Sequence, residues 1–126
     1  MDINEIKSNV KMKNFCFLEC SVVRNEEINR GNLSIDLKKS INKTTDGDYS
    51  VVLTLTINKE GNDLHIKVVA SAIFSCDDDS DFVDSIMETN TVAIMFPFIR
   101  SQVSLLTTQP GMNPIILPPI NTAKFK

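Results

Sequence analysis

Residues 51–74 read VVLTLTINKEGNDLHIKVVASAIF, and their spacing decides the fold. Val51, Leu53, Leu55 and Ile57 alternate with Val52, Thr54, Thr56 and Asn58; after a short break Leu64, Ile66, Val68, Ala70, Ala72 and Phe74 resume the alternation. A period of two places each apolar set on one face of a strand. The break, Glu60-Gly61-Asn62-Asp63, has hairpin length and turn composition, so the two strands are expected to pair antiparallel.

Working outward, Leu33, Ile35 and Leu37 alternate with Ser34, Asp36 and Lys38, a half-buried strand, and Asp46-Gly47 marks the turn before residue 51. Residues 15–24 are rich in aromatic and β-branched side chains. Strict alternation there sets Cys16, Leu18, Cys20 and Val22 on one face and Phe15 and Phe17 on the other. The links between these four strands are too short for crossover helices, so an antiparallel sheet is expected. After Cys76 the period changes: Val92, Phe96, Ile99, Val103 and Leu106 recur at spacings of four, three, four and three, which predicts one amphipathic helix over residues 81–107. Ser80 and Asp81 suit its N-terminal cap, Asp84 suits the positive end of its dipole, and Pro97 should kink it. The expected class is α+β, a four-stranded antiparallel sheet with one long kinked helix on one face and an extended proline-rich C-terminal strap. The other face stays bare and carries Val52, Val69 and Ile73, apolar groups left over for binding or assembly.

Composition narrows the function classes. A chain of 126 residues with 42% hydrophobic content fits one domain over residues 1–126. The net charge of −3 and the single basic pair Lys38-Lys39, without aromatic neighbours, argue against nucleic acid. Residues 1–13 mix charges with isolated apolar positions, unlike a secretory signal, so a cytoplasmic location is expected. Residues 101–123 carry no charge, yet Pro110, Gly111, Pro114, Pro118 and Pro119 interrupt them, so membrane insertion is not expected.

Candidate chemistry is sparse. Cys16, Cys20 and Cys76 with His65 could supply a zinc site, but on a strand Cys16 and Cys20 would stand about 13 Å apart, too far for one metal or a disulfide. Asp77, Asp79, Asp81 and Glu88 occupy positions one, three, five and twelve of a calcium loop, but the obligatory glycine is Phe82. A solvated helix start explains the same acids. With one histidine and four glycines the chain has no nucleophile elbow and no phosphate-binding loop. No catalytic residue, metal or cofactor is expected, and the protein is read as no enzyme. Residues 109–120, QPGMNPIILPPI, cannot be helical yet are strongly apolar. They either seal the domain's own core or form one wall of a groove for another chain, with Met112 as an adaptable contact.

Helix and tail together carry a recognisable pattern. Phe96-Pro97-Phe98-Ile99-Arg100, then Leu105-Leu106, Pro110-Gly111-Met112 and Leu117-Pro118-Pro119-Ile120-Asn121, resemble the SecB family of protein-export chaperones. The likeness extends back through Ile73-Phe74-Ser75 and the strand from Leu33 to Leu37. The resemblance implies an ATP-independent holdase, a homo-oligomer built as a dimer of dimers, that keeps unfolded or nascent polypeptide clients in apolar grooves. Family groove positions would fall near Phe17, Val22, Val69, Ile73, Phe74, Met112, Ile115 and Leu117. Glu19 matches the acidic strand surface that docks the SecA motor, although Lys67 stands where the fourth strand is usually acidic. The chain stops at Lys126, where family members usually continue into a second helix, so the groove cover is expected to be incomplete. The alternative is a SecB-like protein dedicated to one cognate chain, such as the antitoxin of a toxin–antitoxin or phage-defence module.

Overall fold

The computed structural model describes residues 10–76 and 83–119. Four strands, β1 (Val10–Arg24), β2 (Leu33–Lys43), β3 (Tyr49–Lys59) and β4 (Leu64–Cys76), form one antiparallel sheet in the order β1-β4-β3-β2. The β3–β4 hairpin is its centre. Val51 pairs with Ala72, Leu53 with Ala70, Leu55 with Val68 and Ile57 with Ile66, and all eight side chains are wholly buried. The hairpin turns where Gly61 and Asn62 take left-handed φ of 89° and 60°, the conformation that glycine and asparagine accept at least cost.

The two strands adjacent in sequence, β1 and β2, lie at opposite edges. Their link, residues 25–32, must therefore cross the end of the sheet over the β3–β4 turn. Asp63 fastens it there. The Asp63 carbonyl accepts from Asn25 N–H at 2.9 Å, and its carboxylate accepts from Asn25 Nδ2 at 3.2 Å and from Asn29 N–H at 3.1 Å.

Strict alternation fails in β1, and the expected faces are corrected. The register shifts between Lys13 and Cys16, where Asn14 has a φ of 57°, and again between Phe17 and Glu19. Each shift is a bulge that re-aims the residues beyond it. Phe17 opposite Ala70, Cys20 opposite Val68 and Val22 opposite Ile66 share the buried face, whereas Cys16 opposite Ser71 and Glu19 opposite Val69 lie on the other.

One helix, α1 (Val83–Leu106), covers the buried face. Met87, Val92, Met95, Phe96, Ile99 and Val103 are buried against the sheet, each contributing about 1.5–3 kcal/mol of apolar burial. The helix runs alongside β1, because Phe98 stacks on Phe15 with centroids 5.0 Å apart and Gln102 Nε2 reaches Cys20 Sγ at 3.5 Å. It continues through Pro97, an exposed residue with no N–H to give the carbonyl of Ala93, which is exposed as well. At its start the Tyr49 hydroxyl donates to Asp84 Oδ1; burial first, then the Asp84 carboxylate, push the Tyr49 pKa up to about 12. The capping residues Ser80 and Asp81 and the calcium-like acids Asp77, Asp79 and Asp81 lie outside the described residues. No helix among the described residues is long and apolar enough to cross a membrane.

Candidate functional site

Residues 108–119 have no helix or strand hydrogen bonding of their own, so their polar backbone groups need partners elsewhere. Arg100 and Ser104 on the helix and Thr107 just past its end supply them from one stripe. Gln109-Pro110-Gly111-Met112 first makes a turn closed by Met112 N–H donating to the Gln109 carbonyl at 3.2 Å, with Gly111 at a φ of 76°; proline followed by a left-handed glycine is the signature of a type II turn. The strap then doubles back. Ile115 N–H donates to Thr107 Oγ1 at 2.8 Å, Ser104 Oγ donates to the Ile115 carbonyl at 3.1 Å, and Arg100 Nε donates to the Leu117 carbonyl at 2.9 Å. From the other side Arg24 Nη2 donates to the Gly111 carbonyl at 3.3 Å.

Within residues 109–119 the tethered side chains differ in their surroundings. Leu117 is 3% exposed and belongs to the core, while Ile116 is 79% exposed and Met112 and Ile115 are half-buried. Between the strap and the 25–32 link lies a groove of about 580 Å³. Met112, Ile115 and Ile116 form one wall, Ile28 to Gly31 the other, and Leu33, Lys59 and Leu64 the floor. Leu33 is 39% exposed, and Ile35, two residues along the same face of β2, is 50% exposed. Apolar side chains thus continue from the groove onto a strand whose outer edge pairs with no strand among the described residues.

The residues singled out from sequence separate into four places. Met112 and Ile115 line the groove. Phe17 and Val22 are half-buried on β1, on the helix side of the sheet, and Phe17 meets Phe15 edge-on at 5.2 Å. Phe74 and Leu117 are buried in the core. Val69 and Ile73 project from the bare face, half-covered by small polar neighbours such as Thr54 and Ser50 opposite them. Glu19 on that face is 3.7 Å from the Lys67 ammonium, an exposed pair that cancels its charge. His65, also on the bare face, has its Nδ1 2.5 Å from Asn58 Oδ1. Among the described residues no three His, Cys, Asp or Glu side chains cluster as metal ligands.

Sequence reading missed Ile28, Lys59 and Ile116. Lys59 was within reach, since it continues the odd-numbered buried series of β3 from Val51 to Ile57. Ile28 acquires its place only through the crossing of the sheet end, which local pattern does not encode.

Comparison with known proteins gives a consistent answer. The family model for SecB, preprotein translocase subunit SecB, matches residues 12–125. An uncharacterised protein of Methanocaldococcus jannaschii is 29% identical over 121 residues, covering 92% of this chain and 78% of that protein. The protein-export protein SecB of Methylobacillus flagellatus is 28% identical over 71% of this chain, and that of Saccharophagus degradans 30% identical over 71%. The chain spans 59% and 56% of the length of these two export proteins. Among solved structures, a SecB-like chaperone of Mycobacterium tuberculosis in complex with an antitoxin peptide superposes with a TM-score of 0.71 at 12% identity, covering 91% of this chain and 90% of that one. At that identity the likeness is one of fold.

Proposed function

This chain belongs to the SecB family, and from that premise we propose that it is a chaperone, not an enzyme, that holds non-native polypeptide in the groove between strap and crossing link. The observation that carries this reading is the division within the strap. Leu117 anchors it in the core while Met112, Ile115 and Ile116 face an open furrow floored by Leu33 and Leu64. A client side chain entering the furrow gains about 25 cal/mol per Å² of apolar surface removed from water. A client strand could also pair with the free edge of β2, whose register against β3 is unbroken from Leu33 to Lys43. Neither contribution consumes ATP, and neither discriminates sharply among sequences. The proposal includes a cytoplasmic location and self-assembly into a dimer of dimers; Leu18, Phe98 and Leu105 are exposed apolar groups on β1 and α1 available to a second copy.

A second reading is a chaperone dedicated to one cognate chain, such as an antitoxin. Two observations favour it. The structure aligns along nine-tenths of a chaperone solved with an antitoxin peptide, and the Glu19–Lys67 pair removes the free acid that SecA docking would use.

Suppression of aggregation tests both. The purified chain is added to several unrelated denatured proteins and light scattering is followed. General suppression supports the first reading, and suppression of one cognate chain alone supports the second. Binding to none contradicts the chaperone proposal. Leu33→Asp with Ile116→Asp, both exposed, should abolish suppression while the protein remains folded; Leu117 is unsuitable for this purpose because its replacement would open the core.

A further inference from the structure

We propose that Arg24 joins the two walls of the groove into one cooperative unit, so that strap and crossing link open and close together around a client; this rests on the peptide-binding reading above. Each wall is fastened separately to the body of the domain. Asp63 holds the link through Asn25 and Asn29, whereas Arg100, Ser104 and Thr107 hold the strap. The two sets of fastenings share no residue. Arg24, the last residue of β1, pairs with Leu64 of the groove floor and reaches both walls. Its Nε donates to the Asn25 carbonyl at 3.1 Å, and its Nη2 donates to the Glu26 carbonyl at 3.1 Å and to the Gly111 carbonyl at 3.3 Å. Among the described residues no hydrogen bond joins residues 25–32 directly to residues 108–119, so the polar connection between the walls passes through this side chain.

Arginine suits the task. Its planar guanidinium holds several donors in a fixed fork, so a single rotamer serves acceptors on two sides, whereas lysine presents one compact charge at the end of a flexible stem. Arg24 forms no ion pair among the described residues, so no carboxylate there competes with the carbonyls. On the strap the acceptor is placed by Gly111, whose φ of 76° is one that L side chains rarely adopt. A Cβ at Gly111 would stand 3.7 Å from Arg24 Nη2, an ordinary contact, so the backbone angle and not the space calls for glycine. All three bonds lie at the exposed surface, where water can replace them, and a clasp of this kind parts and re-forms readily. Arg24 does not itself line the groove. It acts on a client through the walls, as a positioning residue.

Amide exchange followed by NMR on the full chain, without peptide, tests the coupling. Thr107→Val loosens the strap and Asp63→Ala loosens the link, and the readout in each case is the opposite wall. Thr107→Val should accelerate exchange at Asn29, and Asp63→Ala at Ile115, by about fivefold, the usual scale of coupling between linked sites. Both changes are measured beyond any at Leu55, which is paired on both sides in the sheet centre and reports global unfolding. In the Arg24→Met background both cross-effects should vanish. Arg24→Lys, which keeps the charge and loses the fork, should lose them too, and serves if Arg24→Met fails to fold. No cross-effect in the presence of Arg24, or one that survives Arg24→Met, overturns the inference; one that survives Arg24→Lys overturns the assignment to the fork. A labelled apolar peptide should also leave Arg24→Met about tenfold faster than the native chain, with its association rate changed less than about threefold. Equal dissociation overturns the claim that the clasp serves the client. If no peptide binds the native chain, the peptide-binding reading falls, and the exchange data still decide whether Arg24 couples the walls.

Discussion

Thr107→Val isolates the tether of the strap. Valine matches threonine in shape but lacks the hydroxyl, and Thr107 is completely buried. Its Oγ1 accepts from Ile115 N–H at 2.8 Å and donates back to the Val103 carbonyl at 2.8 Å. The Val103 carbonyl keeps the Thr107 N–H at 3.1 Å, so the main loss falls on Ile115, left without an acceptor. An orphaned donor of this kind costs about 1–3 kcal/mol, equivalent to a roughly 5- to 150-fold rise in the population with the strap detached. Amide hydrogen exchange at Ile115, resolved by mass spectrometry of fragments, should accelerate by that factor, and affinity for apolar peptides should fall with it. Thr108→Val is the control, because Thr108 is exposed and its hydroxyl, among the described residues, bonds to the Ser104 carbonyl at 2.6 Å and not to the strap. Unchanged exchange at Ile115 in a fully folded Thr107→Val protein would refute the claim that this hydroxyl holds the groove wall.

Other expectations follow from the same contacts. Leu117→Ala should cost about 2–5 kcal/mol in urea unfolding, as for other buried leucines, whereas Ile116→Ala should change stability by no more than about 0.5 kcal/mol. The chain has a single tyrosine, so tyrosinate absorbance reports Tyr49 alone. Its midpoint should lie near 12 against 10.0 for a free tyrosine, and Asp84→Asn should bring it down. Because the folded pKa is the higher one, the stability linked to the neutral phenol is complete below pH 10 and is lost as pH rises toward 12. Asp63→Ala removes the acceptor for Asn25 and Asn29 together, and should lower unfolding stability by on the order of 3 kcal/mol, with earlier proteolysis in residues 25–32.

Much of this fold was legible because two of its strands obey a strict period. In β3 and β4 every odd position from Val51 to Ile57 and every even one from Leu64 to Phe74 is buried, and the helical stripe Val92, Phe96, Ile99 and Val103 packs against them. β1 was misread because two bulges reverse its faces, and a bulge shows in sequence only as a disordered alternation. The strand order escaped for a different reason. Placing β1 and β2 at opposite edges depends on Asp63 gathering the Asn25 and Asn29 donors, a contact between residues more than thirty positions apart. The same crossing explains the partial view of the site. Met112 and Ile115 stood out as surplus apolar groups beside prolines, but the opposite wall at Ile28 exists only once the link has crossed the sheet end. Phe74 and Leu117 were apolar in the right neighbourhood and prove to be interior.

The most direct measurement of where a client sits is a methyl-resolved NMR titration of the full chain with an unlabelled apolar peptide. The account predicts that the methyl signals of Leu33, Met112, Ile115 and Ile116 shift together, while those of Val52, Val69 and Ile73 on the bare face stay in place. Shifts confined to the bare face, with the strap signals unmoved at saturating peptide, would contradict it.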